Sequence, residues 1–303
     1  MTMRLPITQF LRIATLGVAA CLCFTGCGKS GDAGAKKTAI QNVGSDTMVN
    51  LAIAWADAYS TVDPTVSVEV NGGGSGQGVA ALINNACDIA NCSRGFEEKE
   101  LADFAAKHPG KQAKEFLVGF DALSIFVHKS NPLEEISVEE LQQMYAKDGQ
   151  LTKWAQLGVK SIPGAKGDEI ILISRQNNSG TYHYFREAIV GKKNEMRLGT
   201  VDMNGSKDVV ELIAKTPNAI GYSGMGYLTP DVKHLKVSKK KGEKAVEPTI
   251  ATTLDKTYPI ARPMFMYTAG EPAPHIKTYL DWVMGATGQK IVEETGYVPL
   301  PKK

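Results

Sequence analysis

Residues 70–93 read VNGGGSGQGVAALINNACDIANCS, and the glycine run near their start opens directly into an apolar helical pattern. Val66, Val68 and Val70 alternate before it as a strand does, whereas Val79, Leu82 and Ile83 recur after it at helical spacing. The glycines therefore mark a strand-to-helix junction, with Ser75 where an N-cap belongs. Without Cβ atoms, Gly72, Gly73, Gly74, Gly76 and Gly78 let backbone N–H groups approach a ligand. A helix N-terminus carries unpaired N–H groups and about half a positive charge, so a cleared one with a hydroxyl beside it suits an oxyanion. A flexible turn is the ordinary alternative for such a run.

Two more junctions share this make-up. Ile40–Val43 reads as a strand that ends in Gly44, Ser45, Asp46 and Thr47, before Met48, Leu51, Ala52, Trp55 and Tyr59 set a helical period. Ile170–Ser174 reads as a buried strand that runs into Arg175, Gln176, Asn177, Asn178, Ser179, Gly180 and Thr181, before Tyr184, Phe185 and Ile189. Open α/β sheets bind ligands at the carboxyl ends of their strands, where such junctions lie. Convergence of the three would make a cage of N–H and hydroxyl donors, to which Arg175 and Arg94 bring the charge opposite to an oxyanion's. The planar fork of Arg175 can hold two oxygens at once. Taken singly, each arginine reads as a surface ion pair.

The remaining elements frame these junctions. A helix rich in Glu and Lys is expected over Glu97–Lys107, and Ser137 with Glu140 offers a capping box for a helix over Val138–Tyr145. Phe116–His128 is a long apolar strand pattern and Pro259–Tyr267 another, together suited to two crossings between lobes. Lys207–Lys215 reads as a helix, Ile220–Tyr222 as a strand, and the lysines at 239–241 and 244 as a solvated loop. Residues His275–Glu294 carry helical spacing and are expected to pack back on the first lobe.

The chain of 303 residues is 43% hydrophobic, enough for a sizeable core in two lobes. Arg4 and Arg12 precede an apolar stretch, Ile13–Phe24, that is too short to span a membrane and has the layout of a signal peptide. Thr25, Gly26 and Cys27 then resemble a bacterial lipobox, which implies acylation at Cys27, and residues 28–37 read as a flexible tether. Loss of Arg4 and Arg12 cancels the formal net charge of +2, and nothing in the sequence suggests nucleic acid. Cys87 and Cys92 are expected as free, buried thiols, because an extended Asp88–Asn91 puts them about 16 Å apart, against the roughly 7 Å that a disulfide allows.

Enzyme chemistry finds little support. No G-x-x-x-x-G-K-[ST] phosphate loop is present, and Ser75 and Ser223 both lack the second glycine of G-x-S-x-G. The five histidines show no metal-ligand spacing, so no metal or cofactor is expected. His183, next to the Ser-Gly-Thr run, is the one candidate general base for a rival reading as a secreted phosphoester hydrolase.

Six stretches carry a family resemblance: GSDTM at 44–48, GGGSGQG at 72–78, DIANCSR at 88–94, RQNNSGT at 175–181, AIGYSGMGYL at 219–228 and GQKIVEETGYVPL at 288–300. In this order they resemble the phosphate-binding lipoproteins of ABC-type phosphate importers. The resemblance implies an α/β fold, the two-lobed periplasmic-binding-protein fold of type II, each lobe a mixed sheet flanked by helices with the ligand in the cleft. It implies lobes of residues 38–121 with 259–303, and 122–258, closing about a hinge. Phosphate would be held around Ser45, Asp46, Thr47 and Met48, by Ser75, by Ser93 and Arg94, and by Arg175, Ser179, Gly180 and Thr181. The implied protein is a lipid-anchored monomer on the extracytoplasmic face, partnered by inorganic phosphate and a permease of the cytoplasmic membrane. Another tetrahedral oxyanion such as sulfate is the alternative ligand.

Two positions depart from the family pattern: Ser93 stands where many members have an aspartate, and Asn177 where many have an acidic residue that holds the arginine. Part of the phosphate population near neutral pH carries a proton, its second pKa being roughly 6 to 7 by analogy with phosphoesters, and a carboxylate can accept that proton's hydrogen bond while repelling sulfate. Asp46 is the one carboxylate inside a junction motif, so it reads equally as that acceptor and as an N-cap for the helix after it.

Overall fold

A computed structural model of the protein describes residues 37–301, so the expected signal peptide and lipobox and nearly all of the expected tether lie outside the described residues. Its strands are β1 Thr38–Gly44, β2 Val66–Asn71, β3 Ile89–Cys92, β4 Ala113–His128, β5 Glu135–Ser137, β6 Ile171–Arg175, β7 Val201–Met203, β8 Ala219–Gly224, β9 Val232–His234, β10 Lys236–Ser238 and β11 Ala261–Ala269. The helices are α1 Val49–Val62, α2 Ser75–Ile83, α3 Glu98–Lys107, α4 Val138–Tyr145, α5 Gly180–Phe185, α6 Ser206–Ala214, α7 Ile250–Leu254, α8 Pro274–Met284 and α9 Ala286–Glu294.

Among the described residues one mixed sheet runs β2-β1-β3-β11-β4-β8-β6-β7, with β9 added beside β4, and β5 and β10 form a separate parallel pair. β1, β2 and β3 are parallel, which brings their carboxyl ends to one edge of the structure. The long β4 joins the two parts of the sheet. Its residues 113–122 pair antiparallel with β11, and residues 123–128 pair with β8 and β9. In that register Asp121 stands opposite Arg262.

Local signals explain most elements. Ser137 and Glu140 form a capping box at the start of α4, with the Ser137 hydroxyl accepting from the Glu140 N–H at 3.1 Å. Glu97 caps α3, and Glu100 reaches back to its N–H at 2.8 Å. The expected C-terminal helical run is broken into α8 and α9 at Gly285, which ends one helix and caps the next in extended backbone. These two helices pack on α1, where Tyr59 meets Tyr279 and Trp282 and the Trp55 indole donates to the Gly288 carbonyl at 2.8 Å. Burying Trp55, Tyr59, Tyr279 and Leu280 supplies roughly 2–3 kcal/mol of transfer free energy for each.

Two local expectations shift. Ser75 is the first residue of α2 and Gly74 its cap, with φ +96° in a region that favours glycine. The cap of α1 is Met48, which makes no side-chain cap bond, so Asp46 is not the N-cap. Cys87 and Cys92 are free; Cys92 is buried and Cys87 half-buried. Burial pushes the Cys87 thiol up to about 12, helped by Asp88, and Cys92 higher still. Among the described residues no helix is long and apolar enough to cross a membrane.

Candidate functional site

All three junctions meet at one place, and the turn after β3 joins them. Gly74 N–H donates to the Gly44 carbonyl at 3.0 Å and Ser45 N–H to the Asn91 carbonyl at 2.9 Å, which ties the ends of β1, β2 and β3 together. From the other side, the Asn178 carbonyl accepts from Gly76 N–H at 3.1 Å and its amide donates to the Gly73 carbonyl at 3.0 Å.

At the meeting point the side chains are short hydroxyls. Ser45 Oγ donates to Ser93 Oγ at 3.0 Å, Ser75 Oγ lies 3.3 Å from Ser93 Oγ, and Ser75 Oγ accepts from Ser93 N–H at 3.1 Å. Thr47 Oγ1 and Thr181 Oγ1 are 2.8 Å apart. All five residues are buried, at 2% exposure or less. Gly180 is placed against them so closely that an added Cβ would stand 2.2 Å from Ser75 Oγ and 2.8 Å from Ser93 Oγ. Only glycine fits there. Ser179 serves as the cap of α5, its hydroxyl accepting from the N–H groups of Thr181 and Tyr182.

Other residues expected at the site have different partners. The Met48 side chain is buried in the core, and its N–H donates to the Ser45 carbonyl at 2.9 Å. Asp46 Oδ1 accepts from Gly73 N–H at 2.8 Å, and Oδ2 accepts from Arg175 Nη2 at 2.8 Å. Asp46 therefore holds the arginine, the task that the family pattern gives to an acidic residue at 177. Asn177 instead offers its carbonyl to His183 Nε2 at 2.7 Å, while His183 Nδ1 lies 2.9 Å from Glu97.

Arg175 spends its fork on protein: besides Asp46 it donates to the Asn204 and Met203 carbonyls and to Ser206 Oγ. Burial lowers its pKa, and the Asp46 carboxylate opposes that. Arg94 turns away from the hydroxyls and grips Glu100 with both terminal nitrogens at 2.7 Å, plus the Gly95 carbonyl. Burial alone would lower its pKa, but Glu100 outweighs that and raises it.

The sequence reading passed over the ion pair that touches the hydroxyls. Arg262 and Asp121 are both essentially inaccessible, with Nε and Nη2 donating to Asp121 Oδ2 at 3.0 and 2.8 Å. Arg262 Nη2 also lies 3.1 Å from both Thr47 Oγ1 and Thr181 Oγ1. Asp121 Oδ1 accepts from Met225 N–H at 3.0 Å. The signal was present: each charge interrupts an apolar strand, and a charge inside such a strand needs a partner when buried.

This arrangement offers many directional donors in a buried place, with its charges paired two by two. Hydroxyls can turn to donate to an oxyanion, and at low local dielectric such bonds strengthen. A cavity of about 670 Å³ opens beside them, lined by Arg94, Phe96, His183, Tyr184 and Arg262 among others.

Comparison with known proteins agrees with this architecture. Residues 30–287 match the family model of the PBP superfamily domain. The phosphate-binding protein PstS of Pseudomonas aeruginosa is 32% identical over 274 residues, spanning 87% of this chain and 84% of its own. Protein SphX of Synechococcus elongatus is 31% identical over 283 residues, spanning 90% and 80%. Among solved structures, a putative phosphate ABC transporter substrate-binding protein with bound phosphate from Clostridium perfringens superposes with a TM-score of 0.77 at 25% identity, over 87% of this chain and 100% of that one. An ABC-type phosphate transport receptor from Vibrio cholerae gives 0.65 at 25% identity, over 86% and 100%. By its fold, its junctions and these similarities, the chain belongs to the PBP superfamily and, within it, to the family of the PstS proteins.

Proposed function

We propose that this chain binds inorganic phosphate outside the cytoplasmic membrane and delivers it to an ABC permease. The observation that carries this reading is the buried cluster of Ser45, Thr47, Ser75, Ser93 and Thr181, closed over by Gly180 and edged by a guanidinium. Five hydroxyls packed this closely suit a small ligand with several acceptor oxygens, and the related PstS of Pseudomonas aeruginosa is a phosphate-binding protein, as the Clostridium perfringens structure holds phosphate.

Delivery works by hinge closure between lobes of residues 38–121 with 259–303, and 122–258. Thr47–Thr181, Asp46–Arg175 and Gly76–Asn178 are contacts between the two sets of residues, so a ligand touching both favours the closed arrangement. The protein acts as a monomeric binder without catalysis: both ring nitrogens of His183 are occupied, by Asn177 and Glu97, which leaves it unsuited to be a general base. A lipid on Cys27, with residues 28–37 as tether, holds the domain at the membrane surface.

Titration calorimetry against phosphate, sulfate and molybdate tests the reading, with tight phosphate binding expected. No heat with phosphate, or tighter binding of sulfate, would sink it. A chromogenic phosphate ester should stay intact, and small-angle scattering should show compaction on adding phosphate; identical profiles would remove the hinge.

A further inference from the structure

Among the described residues the hydroxyl cluster is hydrogen-bonded to one guanidinium, and it belongs to neither Arg175 nor Arg94. Arg262 lies 1% exposed on β11, and its Nη2 is within hydrogen-bond distance of Thr47 and Thr181. Its Nη1 is buried with no hydrogen-bond partner among the described residues. A buried guanidinium N–H without an acceptor is costly, and beside a cluster of hydroxyls it is a donor open to a ligand. Arg175 has Nε, Nη1 and Nη2 all on protein acceptors. Arg94 leaves only Nε without a partner, and none of its nitrogens is hydrogen-bonded to a hydroxyl of the cluster.

The surroundings of Arg262 hold it ready. Asp121 fixes one edge of the fork through Nε and Nη2, which leaves Nη1 on another edge. The ring of Tyr184 lies 5.6 Å from the guanidinium carbon, and its hydroxyl is anchored on the Ala261 carbonyl at 2.6 Å. Arg262 also lines the cavity of about 670 Å³, so it touches both that opening and the threonine hydroxyls.

We propose that Arg262 binds the oxyanion directly through Nη1, with Asp121 as its positioning residue. Arg175 keeps its hydrogen bonds to Asp46, Asn204, Met203 and Ser206. This rests on the phosphate reading and names the cation of that same site. Nη1 donates to one oxygen of the tetrahedral anion, while Thr47, Thr181 and the serines turn their hydroxyls to the others.

The test is calorimetry with inorganic phosphate on the wild type, on Arg262→Lys, and on the paired variant Arg262→Gln with Asp121→Asn, which removes both charges together. Each variant is first checked for a cooperative thermal transition. Affinity should fall at least tenfold in each folded variant, because an ammonium cannot present the fork's free edge. A smaller loss in a folded variant overturns the proposal. A crystal structure of the wild type with phosphate gives an arm that needs no variant: an anion oxygen within hydrogen-bond distance of Nη1 supports the assignment, and an anion held without Arg262 refutes it. Absence of phosphate binding by the wild type is a different result, since it removes the functional reading itself.

Discussion

Replacing Asp46 with Asn isolates what this carboxylate does. In the structure Oδ1 accepts from Gly73 and Oδ2 from Arg175, a side chain only 1% exposed, while the Asp46 side chain is 17% exposed. An asparagine can keep the Gly73 bond with its carbonyl, but its amide then faces Nη2, donor against donor. Breaking a fully buried pair costs about 3–5 kcal/mol, and a hydrogen bond to a charged group contributes about 1.5–3 kcal/mol. Arg175 keeps acceptors on Met203, Asn204 and Ser206, and Asp46 reaches some water, so the lower range applies: roughly 2–3 kcal/mol. For a chain of this size that lowers Tm by about 4–12 °C. Scanning calorimetry of the phosphate-free protein reads the shift directly. Selectivity for phosphate over sulfate should stay unchanged, because both Asp46 oxygens have protein partners. A Tm within about 2 °C of wild type would refute this account of the pair. New sulfate binding in the variant would restore Asp46 as the acceptor of the phosphate proton.

Three other perturbations probe separate features. Gly180→Ala would drive a methyl into Ser75 and Ser93, so phosphate affinity should fall at least about tenfold, or 1.4 kcal/mol; calorimetry showing unchanged affinity would free Gly180 from the site. At Glu140 burial raises the pKa, but the Ser137 N–H and hydroxyl and Lys241 outweigh it, so the folded value lies below the ordinary one. Its stabilisation is therefore present above the ordinary carboxylate pKa of about 4.3 and lost as pH falls through the lowered value. Glu140→Gln should cost about 0.5–1 kcal/mol at pH 7 and nothing at pH 2; denaturant melts giving an equal gap at both values would contradict that. Cys87 and Cys92 should resist iodoacetamide at pH 8 in the native protein and react in guanidinium, since burial keeps both thiols protonated; peptide masses showing rapid native labelling of Cys92 would place it at the surface.

Much of the fold was legible because its signals are local. The capping box at Ser137 and Glu140, the valines of β2 and the apolar period of α2 depend on residues within a few positions of one another. The glycine and hydroxyl composition of the junctions likewise marked where backbone and hydroxyl donors would be offered, since glycine and serine act through their own short reach. Which charges meet was decided elsewhere. Asp46 looks like a helix cap or a ligand in sequence, yet its partner lies 129 residues away. Arg262 and Asp121 are 141 residues apart and face each other only because β4 and β11 pair in one register. A buried charge demands a counter-charge, but the sequence states only the demand. Strand register and the convergence of separate loops supply the partner, and those arise from packing the whole chain. That is why the junctions could be read from the sequence, whereas the guanidinium that edges them emerged only from the tertiary structure.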